Sequence, residues 1–156
     1  MTKKTKPITL ASDPEPQTYD VTGQVGHLLR RAYQRHVALF QQEIPDSQLT
    51  AAQFVALCAV RDMGEASLND IVKRTAIDQA TIRGVIDRLS ARNLVASADH
   101  KKDARKRVVS LTPDGARLVD ATIPFAQRVT ERTFGGFNPG EREALLFLLK
   151  KMAEMG

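Results

Sequence analysis

The segment from Asp99 to Gly115, DHKKDARKRVVSLTPDG, narrows the fold more than any other stretch of this chain. A cluster of basic residues runs straight into the β-branched pair Val108-Val109, and Thr112-Pro113 then opens a helix. Threonine accepts at the cap, and proline fits the first turn, where its missing N–H costs nothing. Charge counting indicates what this region meets. From Arg83 to Arg107 there are eight basic residues and three acidic ones, a surplus of +5 that equals the formal net charge of the whole chain. A basic surplus gathered in one region suits a phosphate-binding surface, because neutralised phosphates release their condensed counterions. The expected partner is DNA.

The architecture before this segment supports that reading. Leu49-Thr50-Ala-Ala-Gln53 offers a threonine cap with glutamine three residues on, so a helix runs from there to about Asp62, and Gly64 closes it. Ser67 caps a short helix, Leu68 to Thr75, and Asp78 caps another that reaches about Asn93. Only Ala76-Ile77 separates the two. Two short helices joined by so tight a turn match a helix-turn-helix, with Ile82, Val85, Ile86 and Leu89 as the buried face of the second. Leu94-Val95-Ala96 and Val108 to Leu111 are expected to pair as antiparallel strands, with Ser97 to Arg107 as the loop between them. A basic hairpin directly after a recognition helix is a wing.

The flanking segments read as helical. Residues 1–18 are rich in Pro, Thr and Lys without a period and are expected to form a flexible arm. From Val21 to Glu43, the positions Val21, Val25, Leu28, Ala32, His36 and Leu39 recur at helical spacing and predict one long helix. The helix begun at Thr112 is expected to run to Gly135-Gly136 with a kink at Pro124, and Asn138-Pro139 with Glu141 starts the last. That last helix carries Leu145, Leu146, Phe147, Leu148 and Leu149, apolar over more than one stripe, so a small domain cannot cover it alone. A second copy of the chain is the expected cover.

Composition excludes several other classes. With 42% hydrophobic and 26% charged residues, no apolar run of membrane-spanning length and no secretory leader in the first residues, the chain is expected to work in the cytoplasm, away from membranes. The single cysteine, Cys58, has no internal disulfide partner and lies on an apolar helical segment, as a core thiol does. The three histidines are scattered without cysteines at metal spacing, so neither metal nor cofactor is expected.

These elements in order resemble the MarR family (multiple antibiotic resistance regulators) of winged-helix transcription factors. The wing carries the likeness: Asp103-Ala-Arg105, then Leu111-Thr112-Pro-Asp-Gly115, fits the family's D-x-R followed by L-T-x-x-G. Leu49-Thr50-Ala-Ala-Gln53-Phe54 and Asp87-Arg88-Leu89 ending at Leu94-Val95 fit as well. Two positions depart from the pattern. Gly84 stands where many members carry arginine, which Arg83 would replace, and Asn93 stands where glycine is common, a site asparagine tolerates in the left-handed conformation.

The resemblance implies a mainly α-helical fold with a small β-wing: a dimerisation helix over residues 19–48, a winged helix-turn-helix lobe over 49–111, and C-terminal dimerisation helices over 112–156. It implies a homodimer reading a pseudo-palindromic operator. Gln79, Thr81 and Arg83 are then expected at base edges in the major groove, with Arg88 among the polar positions of the same helix. Arg105 or Arg107 is expected in the minor groove, Lys101 and Lys102 on phosphates, and Asp103 holding a wing arginine in place. It also implies release by a small aromatic carboxylate or phenol, controlling catabolic or efflux genes. Arg30, Tyr33 and His36 of the first helix are the ligand candidates, since a carboxylate suits an arginine beside apolar walls. The competing reading is a dimeric architectural or protein-interaction module with only non-specific DNA affinity. An enzyme is disfavoured, because the chain has no phosphate-binding glycine loop, no histidine paired with a nucleophile and no metal-ligand spacing.

Overall fold

A computed structural model describes residues 18–155. The arm predicted for residues 1–18 lies outside them except for Thr18. The chain folds as α1 (Val25–Glu43), α2 (Ala51–Met63), β1 (Glu65–Ala66), α3 (Leu68–Thr75), α4 (Gln79–Ala91), β2 (Val95–His100), β3 (Asp103–Leu111), α5 (Pro113–Phe134) and α6 (Pro139–Glu154).

Caps set most helix starts. Thr50 and Gln53 form a reciprocal capping box at α2, Ser67 and Asp70 another at α3, and Asn138 and Glu141 a third at α6. Asp78 caps α4 by accepting from the Thr81 amide. The turn between α3 and α4 is tight because Ala76 adopts the left-handed conformation, φ 56°. Asn93 does the same at the end of α4, also at φ 56°, which bears out the reading of that position.

Three expectations need correction. The first helix does not begin at Val21: residues Val21–Gly23 form a 3-10 turn capped by Asp20, and Gln24 is extended before α1 starts. The stretch Ser97 to Arg107 is not one loop. Strands β2 and β3 extend through it, leaving Lys101-Lys102 as the connection. Its residues are polar and mostly exposed, so backbone pairing holds the ladder without the alternation that marks a half-buried strand. The third is the two-residue β1, which pairs with β3 through Glu65↔Ser110 and Ala66↔Val109 and makes the sheet three-stranded, in the order β1-β3-β2.

The core lies in the lobe. Leu49, Leu57, Val60, Ile71, Ile82, Val85 and Leu89 are fully buried, and Val119 and Val129 of α5 join them. Outside the lobe, α1 and α6 bury almost nothing. Phe40 is the one buried residue of α1, and α6 has none. Val25, Leu28, Tyr33, Leu146, Phe147 and Leu148 are exposed, Phe147 at 64%.

Candidate nucleic-acid interface and effector site

Helix α4 buries Ile82, Val85, Ile86 and Leu89 and turns Gln79, Thr81, Arg83, Asp87, Arg88 and Ser90 outward. Spacings of four, four and three put Gln79, Arg83, Asp87 and Ser90 on one side, facing an open groove of about 1210 Å³. Lys73 of α3 and His100, Lys106 and Arg107 of the wing line the same groove. The fold therefore gathers Gln79, Arg83 and Arg107 from the predicted set. Thr81, Arg88, Lys101, Lys102 and Arg105 are exposed outside that lining.

Two side chains are more committed than their sequence positions convey. The Thr81 hydroxyl donates to Asp78 Oδ2 at 2.6 Å while the Thr81 amide donates to Oδ1 at 2.9 Å, so its oxygen can only accept from a base. These bonds hold the Asp78 carboxyl below its usual pKa of 3.8. Asp103 Oδ1 accepts the Arg105 backbone N–H at 3.1 Å, a contact with the main chain and not with the guanidinium. At the wing tip the Lys102 N–H donates to His100 Nδ1 at 3.2 Å. The register jumps from Asp99↔Arg107 to His100↔Asp103, which leaves Ala104, Arg105 and Lys106 without Cα partners in the ladder. A bulge of this kind re-aims side chains away from the sheet.

Sequence reading missed Lys73 and counted Lys106 only as part of the basic cluster. Hydrogen bonds from Ser67 do most to hold the Asp70 carboxyl below its usual range, and the charges of Lys73 and Lys106 add to that. The detectable signal for Lys73 was its four-residue offset from Asn69, which also lines the groove.

The motif Leu111-Thr112-Pro-Asp-Gly115 anchors the wing to α5. The Thr112 N–H donates to the Leu94 carbonyl at 3.1 Å, and the Thr112 hydroxyl donates to the Asn93 carbonyl at 2.7 Å while accepting the Gly115 N–H at 3.0 Å. Gly115 is required by contact: a Cβ there would lie 1.9 Å from the Leu94 carbonyl oxygen.

On α1, Tyr33 stacks on His36 with ring centroids 6.3 Å apart. His36 Nδ1 lies 2.9 Å from the Thr133 hydroxyl, whose own proton goes to the Val129 carbonyl at 2.7 Å. That oxygen must accept, so Nδ1 carries the proton and Nε2 presents a lone pair. Burial lowers the His36 pKa below 6.5, which favours the neutral ring. Arg35 is spent on structure: it donates to the Thr133 and Arg132 carbonyls at 2.6 and 2.9 Å, closing the C-terminal end of α5. Arg30 is exposed. Cys58 is half-buried rather than fully enclosed, and burial raises its thiol pKa despite the neighbouring Arg61, the opposite of what an activated cysteine needs. Among the described residues there is no cluster of metal-ligating side chains and no helix long and apolar enough to cross a membrane.

The sequence model of the MarR family matches residues 49–106, and the transcriptional repressor NicR of Pseudomonas putida is 54% identical over 154 residues, covering 99% of this chain and 96% of NicR. The chain belongs to the MarR family. As a member it is a DNA-binding transcriptional regulator and not an enzyme. Bordetella bronchiseptica BpsR, whose DNA binding is regulated by 6-hydroxynicotinic acid, is 63% identical, with a TM-score of 0.82 over 87% of this chain and 98% of that one. The fold also matches a MarR variant from E. coli bound to operator DNA, at 24% identity and a TM-score of 0.77 over 86% of this chain and 99% of that one. That likeness is one of fold.

Proposed function

We propose that this MarR-family member is a cytoplasmic homodimeric repressor of catabolic or efflux genes, released from a pseudo-palindromic operator by a small aromatic carboxylate that also carries a hydroxyl. The observation that carries the effector half of this reading is the 63% identity to BpsR, a protein regulated by a hydroxylated pyridine carboxylate. In the site, Arg30 pairs with the carboxylate, Tyr33 stacks along the ring, and the His36 Nε2 lone pair accepts from the hydroxyl.

On DNA, Gln79 and Arg83 enter the major groove, where arginine makes a bidentate contact to guanine, and Thr81 accepts from a base donor. Arg88, Lys101 and Lys102 take phosphates, while Arg105 and Arg107 reach the minor groove at the bulged wing. Residues 19–48 and 112–156 form the dimerisation region around the lobe at 49–111. The bare apolar side chains of α1 and α6 support that assignment, because exposed apolar surface on this scale calls for a partner. Two recognition helices then sit about one DNA turn apart, roughly 34 Å.

The test is fluorescence anisotropy at physiological salt, using labelled DNA from upstream of the protein's own gene and a scrambled duplex, with and without a panel of aromatic carboxylic acids. Selective binding relieved by a hydroxylated aromatic acid, and not by its O-methyl ether, supports the reading. Equal weak binding to both duplexes, indifferent to every acid, would replace it with a non-specific architectural role.

A further inference from the structure

The C-terminal end of α4 touches both places where the lobe joins the rest of the chain. The outgoing junction is Thr112, which bonds the carbonyls of Asn93 and Leu94. The incoming junction is the turn after α1, and there Asp46 is the organising residue. Its Oδ1 accepts the Gln48 N–H at 3.0 Å and its carbonyl accepts the Leu49 N–H at 3.0 Å, which shapes the entry to α2. Its Oδ2 accepts from Arg92 Nη2, and Arg92 is the C-cap residue of α4. Three consecutive residues, Arg92, Asn93 and Leu94, thus tie the recognition helix to both junctions.

The Asp46–Arg92 pair differs in kind from the other ion pairs among the described residues. The Arg92 and Asp46 side chains are 28% and 20% exposed, respectively, and no other pair among the described residues has both partners so covered. Arg92 Nη1 is buried with no hydrogen-bond partner among the described residues. Stability does not account for this, since covered ion pairs are often neutral or unfavourable beside apolar replacements, and an unpartnered buried donor adds cost. Direction does account for it. The single charge-assisted bond from Arg92 Nη2 to Asp46 Oδ2 pins the end of α4 to one point of the turn after α1, a directional tie that apolar packing does not supply.

We propose that Asp46 and Arg92 are positioning residues that set the angle of the recognition helix against α1, and through it the half-site spacing the dimer accepts. The inference rests on the homodimeric reading above. The lever is long: from Ala91 to Gln79 α4 spans about 18 Å, so a tilt of about 10° at its tied end moves Gln79 by about 3 Å. One base-pair step is about 3.4 Å.

The test selects an operator from random duplexes with the wild-type protein, then adds or removes one base pair between the half-sites. Affinities for the three duplexes are measured by anisotropy for wild type, Asp46→Asn and Arg92→Met, with sedimentation and thermal melting as controls for assembly and folding. Wild type is expected to lose at least about 10-fold in affinity when the spacer changes, and each variant to discriminate by about 3-fold or less while remaining a dimer. A uniform loss on all three duplexes with wild-type discrimination kept is what a merely structural role would give, and it would overturn the proposal. If a single variant unfolds, the double variant Asp46→Asn/Arg92→Met, which leaves no lone charge, decides by the same criterion. Indifference of the wild type itself to spacing would overturn the dimeric reading, and this inference with it.

Discussion

Replacing Gly115 by alanine sets two known effects against each other. In an ordinary helix the change removes backbone entropy from the unfolded chain and stabilises by up to about 1 kcal/mol. Here the new Cβ would sit 1.9 Å from the Leu94 carbonyl oxygen and 3.0 Å from its carbon, so backbone must give way. Overpacking of this kind costs about 1–3 kcal/mol. Moving the Leu94 carbonyl also stretches the Thr112 amide bond to it and disturbs the Thr112 hydroxyl bond to Asn93, each worth about 0.5–1.5 kcal/mol net. The balance is a net destabilisation of about 1–5 kcal/mol, a large share of the total stability of a domain this size. Because the contact joins the root of the wing to α5, Gly115→Ala should weaken DNA binding at temperatures where the variant is still folded. Urea denaturation followed by circular dichroism measures the first effect, and anisotropy on the same samples the second. A variant as stable as wild type, or more so, would refute the close-approach account and leave Gly115 an unexceptional helical glycine.

Lys102→Ala should weaken binding to every DNA sequence and reduce the slope of log K against log salt by about 0.9, as expected for a side chain on one phosphate, measured by titration between 50 and 200 mM salt; an unchanged slope removes the residue from the phosphate surface. Asp78→Ala should lower the melting temperature at neutral pH by loosening the start of α4. Since folding depresses the Asp78 pKa, its contribution is present above 3.8 and lost as pH falls through the folded value, so the melting gap between wild type and variant should close in acid; a constant gap contradicts the capping role. Cys58 should react slowly with a thiol reagent in the folded protein at neutral pH and quickly after denaturation, because burial raises its pKa, and equal rates would point to an accessible thiolate.

Where an element depends on local chemistry, it could be read from the sequence. The caps Thr50, Ser67, Asp78, Thr112 and Asn138 each bond backbone within three residues of themselves, and the five helix starts they mark lie where they were expected, whereas the first helix, read from periodicity alone, starts at Val25 and not at Val21. Helical periodicity identified Ile82, Val85, Ile86 and Leu89, all four buried. The wing's length escaped because residues 97–107 have no hydrophobic alternation, and β1 escaped because a two-residue strand exists only through its pairing with β3. Gly115 was visible as part of a motif, yet its reason is a carbonyl 21 residues earlier in the chain.

The same division runs through the site. Arg83 and Gln79 were expected at base edges from the family resemblance, and they line the groove. Arg88 shares the helix but not that lining. On α1, nothing in the sequence distinguishes Arg35 from Arg30, whereas the fold assigns Arg35 to the carbonyls of α5. The proton position on His36 depends on Thr133, which is 97 residues away and whose hydroxyl is itself committed. Asp46 and Arg92 were likewise unreadable as a pair, since each is an ordinary polar residue beside a helix end until the lobe has folded.

Hydroxyl-radical footprinting on DNA from upstream of the protein's own gene addresses the central claim most directly, because it reads sequence selectivity, dimer geometry and effector release together. Two protected segments are predicted, related by two-fold symmetry with centres about one helical turn apart, and both should fade when a hydroxylated aromatic carboxylic acid is added. Protection spread evenly along the DNA and untouched by any such acid would contradict a ligand-released, operator-reading dimer.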